Sequence, residues 1–184
     1  MMSIDSVGRP AIDWRRELPT PMSRTVALHE TAPRDLDALV DLLSLADASR
    51  FGLDEPIAEA AAQALLDRAP RARAAGAAFT HVVSFGSTQA IVGLIQVRAL
   101  DAAFENAEWE CTIAPAARGT GAFVEAARLM ATFAFGPVGA HRLESRVLLQ
   151  NGRANGALRK LGAVQEGILR SSVRRGGAYL DQVH

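Results

Sequence analysis

A glycine corner between a short apolar run and a long alanine-rich stretch constrains this chain more than any other feature. Trp109 to Ile113 reads as extended chain, Pro115 marks a turn, Gly119-Thr120-Gly121 follows, and apolar residues then recur at helical spacing. Strand, glycine corner and helix start make a seat for an anion out of main chain alone. The first helical N–H groups have no partner inside the helix, the helix dipole favours negative charge there, and glycine lets the backbone approach a ligand closely. A Gly-x-Gly is also a common way to turn tightly into a helix, so the neighbouring elements decide between the two readings.

Those neighbours follow a definite order. Residues 1 to about 23 carry Pro10, Pro19 and Pro21 without periodicity and read as an arm, with Trp14 as its anchor. Val26 and Leu28 alternate as in a strand from Arg24 to Leu28, and Thr31 with Pro33 and Asp35 reads as a helix N-cap. Leu36, Leu39, Val40, Leu42 and Leu43 then predict a helix up to about Ala46. Asp54 and Pro56 open a second helix, which Pro70 is expected to end or kink, and Arg68, Arg71 and Arg73 read as a solvated face. Phe79–Phe85 and Ala90–Val97 predict a hairpin around Gly86-Ser87-Thr88-Gln89, with Gly93 marking a bulge or a close backbone approach. Ala107–Ile113 is the fourth strand.

After the corner, a helix is predicted over about Thr120–Phe135, with Phe123, Ala126, Ala127, Met130, Phe133 and Ala134 inward and Gly136-Pro137 as its stop. Arg142–Leu149 alternates as a strand. Asn151 caps a helix whose Ala154, Ala157, Leu158 and Leu161 face inward, and Gly162 ends it. Val164–Val173 and Ala178–Val183 make a last hairpin. Hairpins mixed with βαβ units mean an α+β domain with a mixed sheet and helices on its faces. The expected division is an arm over 1–23 and one domain over 24–184.

Charge and composition narrow the partners. The net charge is +0 and the hydrophobic content 49%, which gives a globular chain without the basic face a nucleic-acid binder relies on. The single cysteine, Cys111, allows no internal disulfide, and the Cys and His residues show no metal spacing. No apolar run reaches membrane-spanning length and the N-terminus lacks a signal-peptide profile, so a cytoplasmic protein with no membrane partner is expected.

The order of elements and three segments together resemble the GNAT superfamily of N-acetyltransferases, most closely its RimJ/RimL-like branch. The segments are Pro115 to Gly121, which matches the family's Arg/Gln-Gly-x-Gly signature; Gly139-Ala140-His141-Arg142-Leu143-Glu144; and Asn151 to Asn155 running through Leu161-Gly162-Ala163 into Glu166–Arg170. The likeness is specific from about 107 to 183 and generic from 24 to 106. It implies a mixed, mostly antiparallel sheet of six to seven strands, splayed between the fourth and fifth, with about four helices on its faces. It implies acetyl-CoA as cofactor, with CoA as product, and an amine acceptor, either a protein or peptide N-terminus or a small molecule. A homodimer is a possible assembly, and relatives usually continue beyond the last strand found here.

Carried over residue by residue, the resemblance puts the CoA pyrophosphate on Arg118, Gly119, Thr120, Gly121, Ala122 and Phe123, and its pantetheine arm along the main chain near Ile113. Asn151, Arg153 and Asn155 sit where relatives contact the cofactor; Arg153, Arg159 and Lys160 read equally well as solvated helix charges. Phe123 stands where the signature has a small residue. Glu108 and Glu110 lie two apart on the fourth strand and so share a face, which makes them the candidates for the base that takes the amine's proton; a role in binding a cationic acceptor is the other reading. The acid for the leaving thiol has no obvious bearer. The usual Tyr position holds Leu158, the RimL-like Ser position holds Ala154, and Tyr179 reads as packing. Cys111 reads as a small buried thiol, and no motif gives His29, His81, His141 or His184 a catalytic partner. Against the N-acetyltransferase stands a non-catalytic acyl-CoA-binding or protein-interaction module of the same fold.

Overall fold

A computed structural model describes residues 13–47, 55–175 and 177–184. The elements run β1 (Val26–Glu30), α1 (Leu36–Asp47), α2 (Glu55–Ala74), β2 (Ala78–Phe85), β3 (Ile91–Ala99), β4 (Asn106–Ile113), α3 (Ala122–Phe133), β5 (Arg142–Glu144), β6 (Val147–Leu148), α4 (Gly152–Lys160), β7 (Ile168–Arg175) and β8 (Ala178–Val183). Five strands form one sheet in the order β1-β2-β3-β4-β5, antiparallel except for the parallel β4–β5 pair. The other three form an antiparallel sheet in the order β6-β8-β7.

The single strand read over Arg142–Leu149 is thus two. Its first half pairs with β4 from Asn106↔Arg142 to Glu108↔Glu144, and its second half pairs with β8. Ser145 and Arg146 are the break where the chain changes sheets. Beyond Glu108, no strand among the described residues pairs with β4 on that side, and this opens the expected splay.

Period-two burial divides the helices between the faces of the larger sheet. Phe79, Val83, Ile95, Val97, Ala107, Trp109 and Ile113 share one core with Ala122, Ala126, Ala127, Met130 and Phe133 of α3. Val82 and Leu94 point the other way, onto Leu39 and Leu42 of α1 and Ala62, Leu65 and Leu66 of α2. Trp14 is buried against Phe79 and Phe104, at ring-centroid distances of 6.0 and 5.4 Å.

Several local expectations are corrected. Thr31 caps nothing; the carboxylate of Asp35 instead accepts from the main-chain N–H of Ala32 at 2.8 Å, ahead of a 3₁₀ turn over Pro33–Asp35. Pro70 lies inside α2, which runs on to Ala74; it faces solvent, where a carbonyl left unpaired by proline is hydrated. Arg73 is no solvated charge: its side chain is 13% exposed and its Nε lies 2.5 Å from Glu30 Oε1. The capping role read for Asp54 falls outside the described residues. β7 begins at Ile168 rather than Val164, and Tyr179, expected to pack, is 66% exposed. Gly93 behaves as read: the β2–β3 register shifts beside it, and a Cβ there would meet Ile113 Cδ1 at 2.6 Å and Thr112 O at 2.7 Å. Asn151 and Gly162 also behave as read, the first accepting from Ala154 N at 3.2 Å and the second taking φ +91°.

Candidate functional site

The glycine corner is open. After β4 the chain makes a 3₁₀ turn over Pro115–Ala117, and Gly119 and Gly121 then take φ of +83° and +91°. A Cβ at either glycine would meet no atom within 4 Å, so the space beside the corner is open. Thr120 Oγ1 donates to Ala117 O at 2.7 Å and accepts from Ala122 N at 3.3 Å, which holds the turn. Gly121 is the N-cap of α3. Among the described residues the main-chain N–H groups of Gly119, Thr120 and Gly121 have no protein acceptor. Arg118 stays at the corner, its Nε donating to Ile113 O at 3.3 Å. Phe123, which departs from the signature, stacks on Trp109 at 6.1 Å and 26°. A large residue is therefore accommodated against Trp109.

The main chain of β4 has a sided character that follows from its register. Ala114 N donates to Val92 O at 2.8 Å, and β4 pairs with β3 without irregularity from Ala107 to Ile113. In an antiparallel ladder the hydrogen-bonding direction alternates residue by residue. Even-numbered residues therefore turn their N–H and C=O toward β3, and Trp109, Cys111 and Ile113 turn theirs toward β5. Since pairing with β5 stops at Glu108, the groups of Cys111 and Ile113 face the gap.

On the far side of the gap lies α4. Asn151 caps it, and Asn155, buried, donates through Nδ2 to Leu148 O at 3.1 Å and Leu149 O at 3.4 Å. Asn155 thus ties α4 to the end of β6, while Asn151 closes the first turn of α4 itself. Arg153, Arg159 and Lys160 are exposed. A pocket of about 180 Å³ lies at this edge, with Trp109, Leu143, Glu144, Asn155, Leu158 and His184 in its wall.

Glu108 and Glu110 do share a face of β4, and the structure separates them. Glu108 is ion-paired to Arg98, its cross-strand partner, and lies 3.5 Å from Arg146 Nε. Among the described residues, Glu110 accepts only from Gln96 Nε2, at 3.0 Å. Its carboxyl is pushed above the usual range, first by desolvation and then by the charge of Glu108, while Arg98 and Arg68 pull the other way. Cys111 stays a neutral thiol, since burial and the neighbouring Glu110 charge both raise its pKa.

Sequence reasoning missed the ring of charge around the splay. Arg142 grips Glu166 with two bonds of 2.7 and 2.6 Å and also bonds Glu144 at 3.3 Å. Arg146 Nη2 and His184 Nε2 lie 3.8 and 3.2 Å from Glu144, the second without the alignment of a hydrogen bond. These residues come from β5, its break, the chain after α4 and the end of β8, and only the cross-strand pair Arg98–Glu108 had a signal in the hairpin register. His29 and His81 also have partners the sequence did not name: Asp35 at 3.5 Å and Pro19 O at 3.3 Å. Among the described residues, no helix is long and apolar enough to cross a membrane.

Comparison with known proteins agrees with this geometry. The profile of the acetyltransferase (GNAT) domain matches residues 25–164. RimJ of Mycobacterium smegmatis, solved in complex with CoA-disulfide, superposes with a TM-score of 0.77 at 21% identity, over 87% of this chain and 82% of that one. Ribosomal-protein-S5-alanine acetyltransferase from Vibrio fischeri superposes with a TM-score of 0.79 at 16% identity, over 90% and 93% of the two chains. The microcin C7 self-immunity acetyltransferase MccE, in complex with acetyl-CoA and AMP, gives a TM-score of 0.76 at 14% identity over 91% and 96%. No functionally curated protein matches the sequence significantly. With the family profile covering three quarters of the sequence and these folds superposing on it, the chain belongs to the acetyltransferase (GNAT) domain family.

Proposed function

We propose that this protein is a cytoplasmic N-acetyltransferase that moves an acetyl group from acetyl-CoA to a primary amine, both bound at once. One observation carries the reading: the open Gly119–Gly121 corner stands at the end of the strand whose main chain faces an unpaired gap. A pyrophosphate fits the corner because its glycines leave room and its N–H groups lack acceptors. Gly119, Thr120, Gly121, Ala122 and Phe123 would hold it through main chain, with Arg118 beside them. The main-chain groups of Cys111 and Ile113 suit an extended amide-bearing arm, which pairs with them as a neighbouring strand would. Asn155 keeps α4 along that arm, Asn151 caps its start, and Arg153 is an exposed cation there.

Bound there, acetyl-CoA supplies an activated acyl carbon. Glu110 is the base. Among the described residues its carboxylate is held by Gln96 alone, whereas Glu108 is committed to two guanidiniums. The nitrogen–carbon bond forms as the carbon–sulfur bond breaks. The amine's proton passes to Glu110, directly or through a water; solvent protonates the departing thiolate, and Glu110 returns its proton to solvent. A main-chain N–H facing the gap stabilises charge on the acyl oxygen, a contribution of about 3 kcal/mol per donor in comparable sites. Holding both substrates in one cleft removes several kcal/mol more.

Leu158 and Ala154 favour a second reading, an acyl-CoA-binding module without turnover, because neither offers a proton to the sulfur. Amine-dependent thiol release from acetyl-CoA separates the two. Release that falls in Glu110→Gln supports the enzyme. CoA binding without release on any amine supports the module, and no CoA binding refutes both.

A further inference from the structure

The gap beside β4 is open at the glycine corner and closed at its other end, where pairing with β5 ends at Glu108↔Glu144. Residues of β4 that turn their main chain toward the gap are two apart, about 7 Å along the strand. An arm paired with Ile113 and then Cys111 is therefore directed at Trp109, the next residue of that set. Trp109 is in the wall of the pocket already described, so the pocket lies where the acyl end of the arm arrives.

Size and chemistry set what the pocket takes. Its volume of about 180 Å³ is about six times the share of one water molecule in the liquid. An acetyl group has three heavy atoms, which leaves room for about two to three more carbons. Trp109, Leu143, Leu158, Ala163 and Val183 give the wall apolar surface. The polar groups between them are engaged within the protein: the Asn155 amide donates to Leu148 O and Leu149 O, and Arg142 holds both Glu144 and Glu166. A tail that needs no hydrogen bond enters such a pocket without stranding a polar group. A tail ending in a carboxylate meets Glu144 and Glu166, whose charges already occupy the guanidinium of Arg142.

Resting on the CoA-binding reading above, we propose that this pocket is an acyl-chain subsite, and that the donor bound best is a CoA thioester of an unbranched, uncharged acyl group of about four carbons. Acetyl-CoA then occupies the subsite only in part.

Calorimetric titration of the full chain with CoA thioesters of increasing chain length tests this without turnover. Affinity is expected to rise about fourfold per methylene from acetyl to butyryl, the effect of burying one CH₂, and to rise no further at octanoyl, which outgrows the cavity. Succinyl-CoA, with four carbons and a terminal carboxylate, is expected to bind no better than acetyl-CoA. Leu158→Phe fills the pocket from α4, and Ala163→Leu fills it from the exposed chain that follows. Each is expected to bring the butyryl-to-acetyl ratio of affinities down toward one, while Arg16→Ala, at an exposed charge of the arm, leaves that ratio as it is. Equal affinity for acetyl- and butyryl-CoA would overturn the proposal, as would a rise that continues to octanoyl-CoA, tighter binding of succinyl-CoA than of butyryl-CoA, or a ratio that neither pocket substitution moves. Failure of every thioester to bind would instead refute the CoA-binding reading itself.

Discussion

Gly121 and Gly139 provide a matched pair for testing the corner. Both take left-handed conformations, φ +91° and +87°, and at neither would a Cβ meet an atom within 4 Å. Replacing either with alanine therefore costs mainly backbone strain, about 1–2 kcal/mol. For a domain of this length that lowers Tm by about 2–8 °C. The two substitutions part company at the ligand. A methyl at Gly121 intrudes where a phosphate meets the first N–H groups of α3, and loss of one such charge-assisted bond is about 1.5–3 kcal/mol, or about 10- to 150-fold in Kd. Gly139 closes the turn after α3, at the opposite end of that helix from Gly121. Thermal unfolding and calorimetric titration with CoA thus give Gly121→Ala and Gly139→Ala similar losses of stability, with weakened binding in the first alone. Equal affinities in the two variants would refute the assignment of the seat, and a much larger stability loss at Gly121 would refute its openness.

Glu110→Gln is expected to lower kcat by about 100-fold or more with CoA affinity unchanged, as for loss of a general base. Because the folded protein raises the Glu110 pKa above 4.5, ionised Glu110 opposes folding, so Glu110→Gln gains stability over the parent near pH 7 and loses that advantage below pH 4.5, as thermal unfolding at the two pH values will show. His81 is buried with its pKa lowered from 6.5 to about 4, a difference of roughly 3 kcal/mol. Its contribution is present above pH 6.5 and is lost as pH falls toward 4, so urea titrations should show that loss in the parent and not in His81→Gln. Arg73→Ala removes the partner of Glu30 and the donor to Arg15 O, leaving a half-buried carboxylate, and is expected to cost about 2–3 kcal/mol by urea unfolding, less when combined with Glu30→Gln.

Elements with a strong period were legible from residues alone. The apolar face of α3, the hairpin and its Gly93 irregularity, and the caps at Asn151 and Gly162 each rest on local chemistry that survives in the fold. What escaped reading depended on partners distant in sequence. Pro70 stays helical because α2 presents it to water, a fact about packing that propensity does not contain. Arg73 reads as a solvated charge until β1 brings Glu30 to it. The division of Arg142–Leu149 into β5 and β6 is invisible to alternation, because both halves keep period two and only their partner strands differ. The same holds at the splay: Glu108 and Glu110 look equivalent by spacing, and cross-strand register separates them by giving one an arginine and the other a glutamine.

A structure of the protein determined with acetyl-CoA is the decisive measurement. The pyrophosphate is expected against the N–H groups of Gly119 to Phe123, the arm paired with the main chain of Cys111 and Ile113, and the acyl carbon on the Glu110 side of the gap. Acetyl-CoA bound away from this gap, or failing to bind at saturating concentration, would contradict it.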